Sequence, residues 1–384
     1  MTVTHPQGFT AAGVAAGLKA TGALDFAIVS NQGPRAAAAA VFTSNRAKAN
    51  PILWSQQVAA DGVVSAIVLN SGGANCFTGP EGFQVTHRTA EAVAAALSVS
   101  AGDVLVCSTG LIGEQLDIEK LEEGVVSAAA RLTSDGGPDA ARAIMTTDSR
   151  PKTAVFDAPA GWRVGGMAKG AGMLAPGLAT MLVVITTDAD VPAADLDSAL
   201  RAATRATFDR LDSDGCMSTN DQVTLLASGA SGIVPDAAEF AAAIRSVCDD
   251  LAAQLQADAE GASHNISIEV RGAVTEDDAV EVGRSVARNN LFKAAVFGND
   301  PNWGRVLAAI GTTKAEFDPY LVDVSMNGVR VCHAGRPDRP REEVDLTPRA
   351  THVLIELHAG TETATIRTND LTHDYVHENS AYAT

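Results

Sequence analysis

A glycine-rich loop that leads into an apolar run, at residues 169–187, constrains this sequence more than any other feature. The segment reads KGAGMLAPGLATMLVVITT, with Pro176 and Gly177 near the end of the loop and Thr180 at the head of the run. An apolar run of this length that is bounded by turn residues predicts a buried strand. The hydroxyl at its entrance is then either an ordinary strand residue or a reactive group.

The reactive interpretation of Thr180 needs a base beside its hydroxyl. A free α-amino group on the same residue can be that base, and such an amine exists only if the chain is cut before Thr180. The small Ala179 and the Gly-Leu-Ala approach would let the hydroxyl attack its own preceding carbonyl. The residues alone leave both interpretations open, a buried strand threonine and the nucleophile of a self-cleaving chain.

The loop before Thr180 also matches G-x-G-x-x-A at residues 170–175, the fingerprint of dinucleotide-binding proteins. That fingerprint follows a strand and opens a helix. Here Pro176 and Gly177 close the loop and an apolar strand is predicted next. The pattern therefore argues against a dinucleotide site.

A second candidate, Thr109-Gly110, follows a short predicted strand at 103–107. A hydroxyl and a glycine N–H that face one cavity are the donors of an oxyanion hole. An ordinary exit from a strand into a turn uses the same residue types, so the pattern by itself does not decide between the two.

Charge narrows the class of ligand. The 384 residues include 46 acidic and 28 basic side chains, a net charge of -18, which disfavours nucleic acid and anionic membranes because phosphate binding needs concentrated Lys and Arg. A small molecule is the expected ligand. The sequence shows no long apolar span and no signal-like N-terminus, so we expect a cytoplasmic protein.

No metal site is predicted. The five cysteines are widely spaced, without a C-x-x-C pair, which argues against zinc and against a disulfide framework. The acidic loop at 212–221 lacks the ligand pattern of a calcium loop, because Arg210 stands at the first ligand position and Asp221 replaces the bidentate glutamate.

The predicted elements follow a mixed order rather than a βαβ alternation, which favours α+β layers over a doubly wound sheet. The predicted strands are 24–30, 36–42, 63–69, 103–107, 152–157, 162–167, 222–227 and 265–272, with strand-rich regions at 320–333 and 350–368. The predicted helices are 81–98, 117–132, 138–146, 193–206, 236–259 and 277–290.

Segments distributed over the whole chain carry a more specific signal. They are residues 8–13, 41–46, 70–72, 108–113, 145–148, 169–173, 179–182, 218–221, 260–262 and 297–305. With these segments the chain resembles the ornithine acetyltransferase (glutamate N-acetyltransferase) family of cyclic arginine biosynthesis. The most specific are ATML at 179–182 and FGNDPNWGR at 297–305.

The resemblance implies self-cleavage between Ala179 and Thr180, giving an α chain 1–179 and a β chain 180–384 that stay associated, usually two of each. It implies an α+β fold with layered sheets between helices, as in N-terminal-nucleophile enzymes. A smaller α/β C-terminal domain is expected within about 190–310.

The implied reaction transfers an acetyl group from N-acetylornithine to glutamate by a ping-pong route. Thr180 would be the nucleophile and its freed amine the general base. Thr109 and Gly110 match the oxyanion positions of the family. The expected substrate-binding residues are Thr146, Lys169, Thr180, Glu260, Asn379 and Thr384. No cofactor is expected, and the resemblance leaves open whether acetyl-CoA is a second donor.

Three departures from the family pattern concern the substrate pocket. Ser263-His264 replaces a common Thr-Lys, Cys216-Met217 replaces a common Asp-Thr, and Gly73 stands where Asn is frequent.

Two other functions stay open beside acetyl transfer. One is an amidase or aminopeptidase of the same self-cleaving superfamily, and the other is an amino-acid-binding protein without catalysis.

Overall fold

The computed structural model describes residues 2–175 and 181–381, which form three β-sheets with packed helices. The strands are β1 (Phe9–Val14), β2 (Phe26–Asn31), β3 (Ala37–Phe42), β4 (Ala66–Asn70), β5 (Val104–Ser108), β6 (Lys152–Asp157), β7 (Arg163–Lys169), β8 (Leu182–Thr187), β9 (Gln222–Ala227), β10 (Asn265–Ala273), β11 (Asp323–Met326), β12 (Val329–His333), β13 (Arg336–Pro337), β14 (Ala350–Glu356) and β15 (Glu362–Asn369). The α-helices are α1 (Asn50–Val58), α2 (Gly79–Leu97), α3 (Ile118–Ala129), α4 (Gly137–Ala143), α5 (Ala193–Ala206), α6 (Ala237–Ala257), α7 (Glu276–Ala287), α8 (Asn290–Phe297), α9 (Trp303–Ile310) and α10 (His373–Ala381). Within these residues, no helix has both the length and the apolar character of a membrane span.

The first sheet has the strand order β1-β2-β4-β5. Its last pair, β4 and β5, is parallel, and the other pairs are antiparallel. Helices α2 and α3 cover its outer face through an apolar core that includes Phe26, Val68 and Val93. Burial of this apolar surface is what holds the helices on the sheet.

The second sheet has the order β3-β9-β8-β7-β6, and helices α5 and α6 cover its outer face. Its inner face shares a core with the first sheet, in which Leu69 and Leu105 meet Val184 and Leu226. The layers therefore run helix, sheet, sheet, helix. This arrangement confirms the predicted α+β class with sheets between helices.

The third sheet has the order β13-β12-β11-β14-β10-β15 and packs against α7, α8 and α9. Its core residues lie between Ile266 and Ile366. The boundaries expected from the sequence, 1–179, 180–384 and a smaller domain within about 190–310, stay predictions.

Local patterns find the long elements and miss the short ones. Strands 152–157 and 222–227 and helix 193–206 have the predicted bounds, and all six residues of β8 are buried. Helices α1, α8 and α9, of nine or eight residues, were not predicted. Two turns of helix show too little of the 3.6-residue period to be recognised.

The topology brings three chain segments to one place. Thr109 directly follows β5, and Lys169 is the last residue of β7. Since β7 and β8 are antiparallel with Lys169 opposite Leu182, the end of β7 lies beside the start of β8. The exits of two facing sheets thus converge next to Met181, the first residue described after the gap.

Candidate active site

Lys169 is the centre of the cluster. Its side chain is only 2% exposed, and its ammonium donates hydrogen bonds to the hydroxyls of Thr146, at 2.7 Å, and Thr109, at 3.3 Å. Burial lowers the pKa of Lys169, and the nearby Asp148 opposes that shift. Three residues predicted from different parts of the sequence are therefore in direct contact.

Asp148, which was not among the predicted site residues, anchors this cluster. Its carboxylate accepts hydrogen bonds from the amides of Gly170, at 2.7 Å, and Thr146, at 2.9 Å, and from the ammonium of Lys152, at 2.5 Å. Burial opposes the ionisation of Asp148, but Lys169, Lys152 and these hydrogen bonds together lower its pKa to about 2. The carboxylate is therefore charged. Its hydrogen bonds fix the segment at Thr146 and the glycine-rich loop that begins at Gly170.

Thr109 and Gly110, the predicted oxyanion residues, place a hydroxyl and a backbone amide on adjacent residues at the end of β5. The amide of Thr109 donates to the carbonyl of Asn70, at 3.0 Å, while its hydroxyl, which accepts from Lys169, still has a proton to donate. The amide of Gly110 has no acceptor within residues 2–175 and 181–381. A hydroxyl and a free amide on adjacent residues can stabilise one developing negative charge.

Position 110 tolerates only glycine. Its φ of +129° lies in a region that L-residues rarely adopt, and an added Cβ would lie 2.7 Å from the amide nitrogen of Gly73. Gly73, one of the departures from the family pattern, donates its amide to the carbonyl of Thr109 at 3.0 Å. The glycine pair thus lets the two loops approach closely.

Glu260 provides the opposite charge. One carboxylate oxygen accepts from the hydroxyl of Thr147, at 2.7 Å, and the other from the side-chain amide of Asn379, at 3.0 Å. Gly172 makes room for it, because a Cβ there would lie 2.6 Å from the carboxylate. Since Thr146 contacts Lys169, consecutive threonines connect the buried cation with the carboxylate.

Asp221 holds the first residue after the gap. It is fully buried, and one of its oxygens accepts from the amide of Met181 at 3.0 Å. Burial raises the pKa of Asp221 well above its usual range, against the opposing effects of the Met181 amide and Lys169. This side chain therefore fixes the chain directly after Thr180.

A cavity of about 240 Å³ is lined by Glu260 together with Asp214, Lys293 and Tyr375. Burial lowers the pKa of Lys293 to about 8, although Asp214 opposes the shift, and burial raises the pKa of Asp214. Asp214 accepts from the amide of Met173 at 2.7 Å. The acidic loop thus supports the glycine-rich loop.

The described part of that glycine-rich loop, residues 170–175, contains bends and an isolated β-bridge at Leu174 but no helix, and β8 begins at Leu182. This geometry agrees with the argument against a dinucleotide fingerprint. Thr180, Ala179 and Thr384, which were predicted to be the nucleophile, the cleavage partner and a substrate contact, lie outside the described residues.

One group of possible metal ligands occurs among the described residues, on the third sheet. It consists of Asp323, Glu356 and His358. Asp323 already accepts from the amide of Ala334, at 2.8 Å, and lies 2.9 Å from Nδ1 of His333. The absence of a metal and of a cofactor stays a prediction.

Comparison with known proteins decides the family. The sequence model of the ArgJ family matches residues 10–384. An arginine biosynthesis bifunctional protein ArgJ of Streptomyces avermitilis is 65% identical over 383 residues, which cover 100% of both chains. The protein of the same name from Thermobifida fusca is 59% identical over 384 residues, again with 100% of both chains covered. This chain belongs to the ArgJ family.

Among solved structures, this ArgJ family member is similar to an ornithine acetyltransferase of Mycobacterium tuberculosis complexed with ornithine. The two are 55% identical, the TM-score is 0.46, and the match covers 47% of this chain and 96% of the other. Membership of the ArgJ family confirms the resemblance found in the sequence and the expected class of enzyme, an acetyltransferase of arginine biosynthesis.

The individual roles expected of the ArgJ residues stay predictions, although the structure brings many of them together. Those in one cluster are Thr109, Gly110, Thr146, Lys169, Glu260 and Asn379. Sequence reasoning missed Thr147, Asp148 and the role of Asp221. Each stands within a segment that matches the family, at 145–148 or 218–221, so a polar residue inside a matching segment was the available signal.

Two of the departures from the ArgJ pattern have a local structural explanation. His264 is buried between Asp370, at 2.8 Å, and the carbonyl of Leu346, at 2.8 Å. Cys216 donates its amide to Asp214 at 3.0 Å, and Met217 forms a β-bridge with Leu174. Position 264 therefore contacts the third-sheet region, whereas 216–217 support the glycine-rich loop.

Proposed function

We propose that this chain is a glutamate N-acetyltransferase that moves the acetyl group of N-acetylornithine to glutamate, giving ornithine and N-acetylglutamate. The observation that carries the proposal is the opposite charges of Lys169 and Glu260, connected through Thr146 and Thr147 beside the free amide of Gly110. A zwitterionic amino acid needs a cation for its carboxylate and an anion for its ammonium group. The word bifunctional in the names of the relatives supports a second acetyl donor.

In the proposed first half-reaction the hydroxyl of Thr180 attacks the acetyl carbonyl of N-acetylornithine, and the α-amine of Thr180 takes the hydroxyl proton. The hydroxyl of Thr109 and the amide of Gly110 stabilise the oxyanion. The C–N bond then breaks, ornithine leaves with that proton on its amine, and an acetyl ester remains on Thr180.

In the second half-reaction the neutral amine of glutamate attacks the ester carbonyl at the same oxyanion position. Its surplus proton passes through the α-amine to the oxygen of Thr180 as the ester C–O bond breaks. N-acetylglutamate leaves, and the hydroxyl of Thr180 is restored. Lys169 can bind the α-carboxylate of either amino acid, and Glu260 can bind the side-chain ammonium of N-acetylornithine.

The proposal includes cleavage between Ala179 and Thr180 and a cytoplasmic assembly of two α chains, 1–179, and two β chains, 180–384. The second sheet supports continued association after the cut, because it combines β3, β6 and β7 from one part with β8 and β9 from the other. Two of its pairings, β3 with β9 and β7 with β8, join the two parts.

The test is an assay of N-acetylornithine with and without glutamate. We expect continuous formation of N-acetylglutamate with glutamate, and without it only about one ornithine released per active site, since the acetyl-enzyme has no acceptor. Continuous release of acetate without glutamate would instead show an amidase of the same superfamily. Binding without turnover would show an amino-acid-binding protein.

A further inference from the structure

A group of acidic and imidazole side chains lies on one face of the third sheet. Val324 and Ile355 belong to the core beneath the helices, and Asp323 and Glu356 are their neighbours along β11 and β14. Side chains alternate between the two faces of a sheet, so Asp323 and Glu356 lie on the face opposite to that core. They stand directly opposite each other in the antiparallel pair, which places their carboxylates side by side.

His358 adds a nitrogen to these two carboxylates. It follows Glu356 by two residues, and its Nε2 lies 3.2 Å from Oδ2 of Asp323. One possible ligand atom from each of the three side chains lies within 4.8 Å of the other two. Ligands at the usual bond lengths around one tetrahedral zinc ion are about 3.3–3.6 Å apart. Small side-chain movements are therefore sufficient to bring all three onto one ion.

The carboxylate of Asp323 is already oriented for such an ion. Its Oδ1 accepts from the amide of Ala334, at 2.8 Å, and lies 2.9 Å from Nδ1 of His333. Burial opposes the ionisation of Asp323, but the hydrogen bonds from Ala334, His333 and His358 together lower its pKa. Contacts of this kind fix the orientation of a metal-binding carboxylate and add to its affinity. Oδ2 is the oxygen that faces His358.

The local charge favours a cation. Glu356 has no hydrogen bond or ion pair with any residue in 2–175 and 181–381. The competing cation is Arg330, whose Nη1 is 3.9 Å from Oδ2 of Asp323. The Nε of Arg330 donates to Asp338 at 2.7 Å, and its side chain is about half exposed. Arg330 is therefore engaged by another acid and leaves Asp323 and Glu356 with a surplus of negative charge.

We propose that Asp323, Glu356 and His358 bind a divalent transition metal ion, Zn²⁺ or one of similar chemistry, with water at the fourth position. An imidazole beside two carboxylates suits Zn²⁺, whereas Mg²⁺ and Ca²⁺ prefer oxygen ligands alone. The site is an exception to the metal-free chain expected from the sequence, because ligands that come together through strand pairing show no characteristic spacing. None of its residues belongs to the cluster around Lys169, so the inference is independent of the proposed function.

The expected role of the ion is structural. It would join β11 to the turn that follows β14, in which Ala359 and Gly360 both donate their amides to the carbonyl of Gly272 at 2.8 Å. His358, the first residue of this turn, has a φ of +53°, which is uncommon for a residue other than glycine. An ion that binds the folded chain and not the unfolded chain raises the free energy of unfolding as its concentration rises.

The test is a titration of the full chain with Zn²⁺ against a chromophoric chelator, together with the thermal midpoint at each Zn²⁺ concentration. Every protein carries Cys216→Ser, because the exposed free thiol of Cys216 would also bind Zn²⁺. We expect Zn²⁺ to raise the thermal midpoint of this parent protein. His358→Gln and Glu356→Gln should each raise the Kd for Zn²⁺ about 100-fold, since each removes one ligand, and should abolish the zinc-dependent rise.

His352→Gln is the matched control. His352 also lies on the third sheet, its ring is 2.9 Å from Glu269, and its exposed fraction of 45% is close to the 48% of His358. It lacks a third ligand, so this variant should bind Zn²⁺ as the parent protein does. Arg330→Gln removes the competing cation and should lower the Kd by about two- to fivefold, the range for one exposed ion pair.

The variants at His358 and Glu356 should keep the fold, because neither side chain is fully buried. Their thermal midpoints in the presence of chelator alone should match that of the parent protein. A parent protein whose midpoint does not respond to Zn²⁺ would overturn the site. So would a Kd that His358→Gln and Glu356→Gln leave unchanged, or that His352→Gln raises equally. Displacement of Zn²⁺ by an equal concentration of Mg²⁺ would overturn the assigned class of ion.

Discussion

Two buried lysines, Lys152 and Lys169, lie on either side of Asp148, yet their surroundings differ. Lys152 is fully buried at the start of β6, and its ammonium meets the carboxylates of Asp148, at 2.5 Å, and Asp258, at 2.6 Å. Lys169, at the end of β7, contacts threonine hydroxyls, and Asp148 is 4.0 Å away. One cation is fully paired and the other is not.

The difference indicates which lysine serves stability and which serves a ligand. A buried charge costs free energy unless a counter-ion and hydrogen bonds offset its desolvation. Lys152 has both, so removing it should affect the fold. The nearest carboxylate to the Lys169 ammonium, that of Asp148, is 4.0 Å away, which is the limit of an ion pair, and burial lowers the pKa of Lys169. A substrate carboxylate would supply the missing partner, and such perturbed groups are concentrated at functional sites.

The largest effect expected is on stability, for Lys152→Met. The substitution leaves Asp148 and Asp258 buried together without their cation, which should cost about 3–5 kcal/mol. A marked fall in the thermal midpoint of the purified protein would show it. A variant as stable as the wild type would remove the structural role assigned to Lys152.

For Lys169→Met we expect the reverse pattern. The similar volume and the loss of a poorly paired charge should keep stability within about 1 kcal/mol of the wild type. The value of kcat/KM for N-acetylornithine should fall about 1000-fold, because the substrate carboxylate loses its cation. Full activity, or a stability loss as large as that of Lys152→Met, would contradict the contrast between the two lysines.

The predicted oxyanion residues, Thr109 and Gly110, lie beside Lys169, which donates to the hydroxyl of Thr109, and their role can be tested at Gly110. Gly110→Ala should lower kcat about 100-fold, because its Cβ would meet the backbone of Gly73 and displace a donor. Gly113→Ala is the control, since φ is also positive, +88°, but nothing lies within 4 Å. Equal losses in both variants would indicate backbone strain rather than a lost donor.

Asp148 interacts with both lysines. The pH dependence of stability measures how much its ionised carboxylate contributes to the free energy of unfolding. Its pKa is about 2 in the fold, below the ordinary 3.8. A carboxylate whose pKa is lower in the folded than in the unfolded chain stabilises the fold at pH values above the pKa of the unfolded chain. This stabilisation is lost as the pH falls through the pKa of the folded chain. The stability difference between wild type and Asp148→Asn should therefore shrink by on the order of 2 kcal/mol between about pH 5 and pH 2. A difference that is independent of pH in this window would contradict the assigned ionisation.

The smallest effect on catalysis is expected at Thr147. This residue contacts Glu260, and its neighbour Thr146 contacts Lys169. Thr147→Val removes the hydroxyl that donates to Glu260 at 2.7 Å. We expect about a tenfold increase in KM for N-acetylornithine, consistent with one lost charge-assisted hydrogen bond. Thr147→Ser keeps the hydroxyl and should restore KM, and a failure to do so would assign the effect to packing.

The sequence was sufficient where a local pattern carries the information. The buried β8 follows from its apolar run, and Lys169, Thr109 and Glu260 stand in segments that match the family. It was not sufficient for the ion pair of Lys152 with Asp258, which are 106 residues apart. Only the packing of α6 against β6 brings these two side chains together, and no spacing rule encodes it.

The departure at His264 shows the same limit. The sequence places His264 among the departures from the family pattern that concern the substrate pocket. In the structure its ring contacts Asp370 and the carbonyl of Leu346. Whether a substitution near a motif faces the ligand depends on the direction of the chain, which the motif does not contain.

The role of Thr180 is tested most directly by the intact mass of the protein after incubation with N-acetylornithine in the absence of glutamate. We predict a β chain of residues 180–384 that carries one acetyl group on Thr180 and loses it when glutamate is added. Thr180→Ala should stay a single, unacetylated chain. An uncleaved wild type that still transfers acetyl, or a cleaved one that never carries it, would contradict the threonine mechanism.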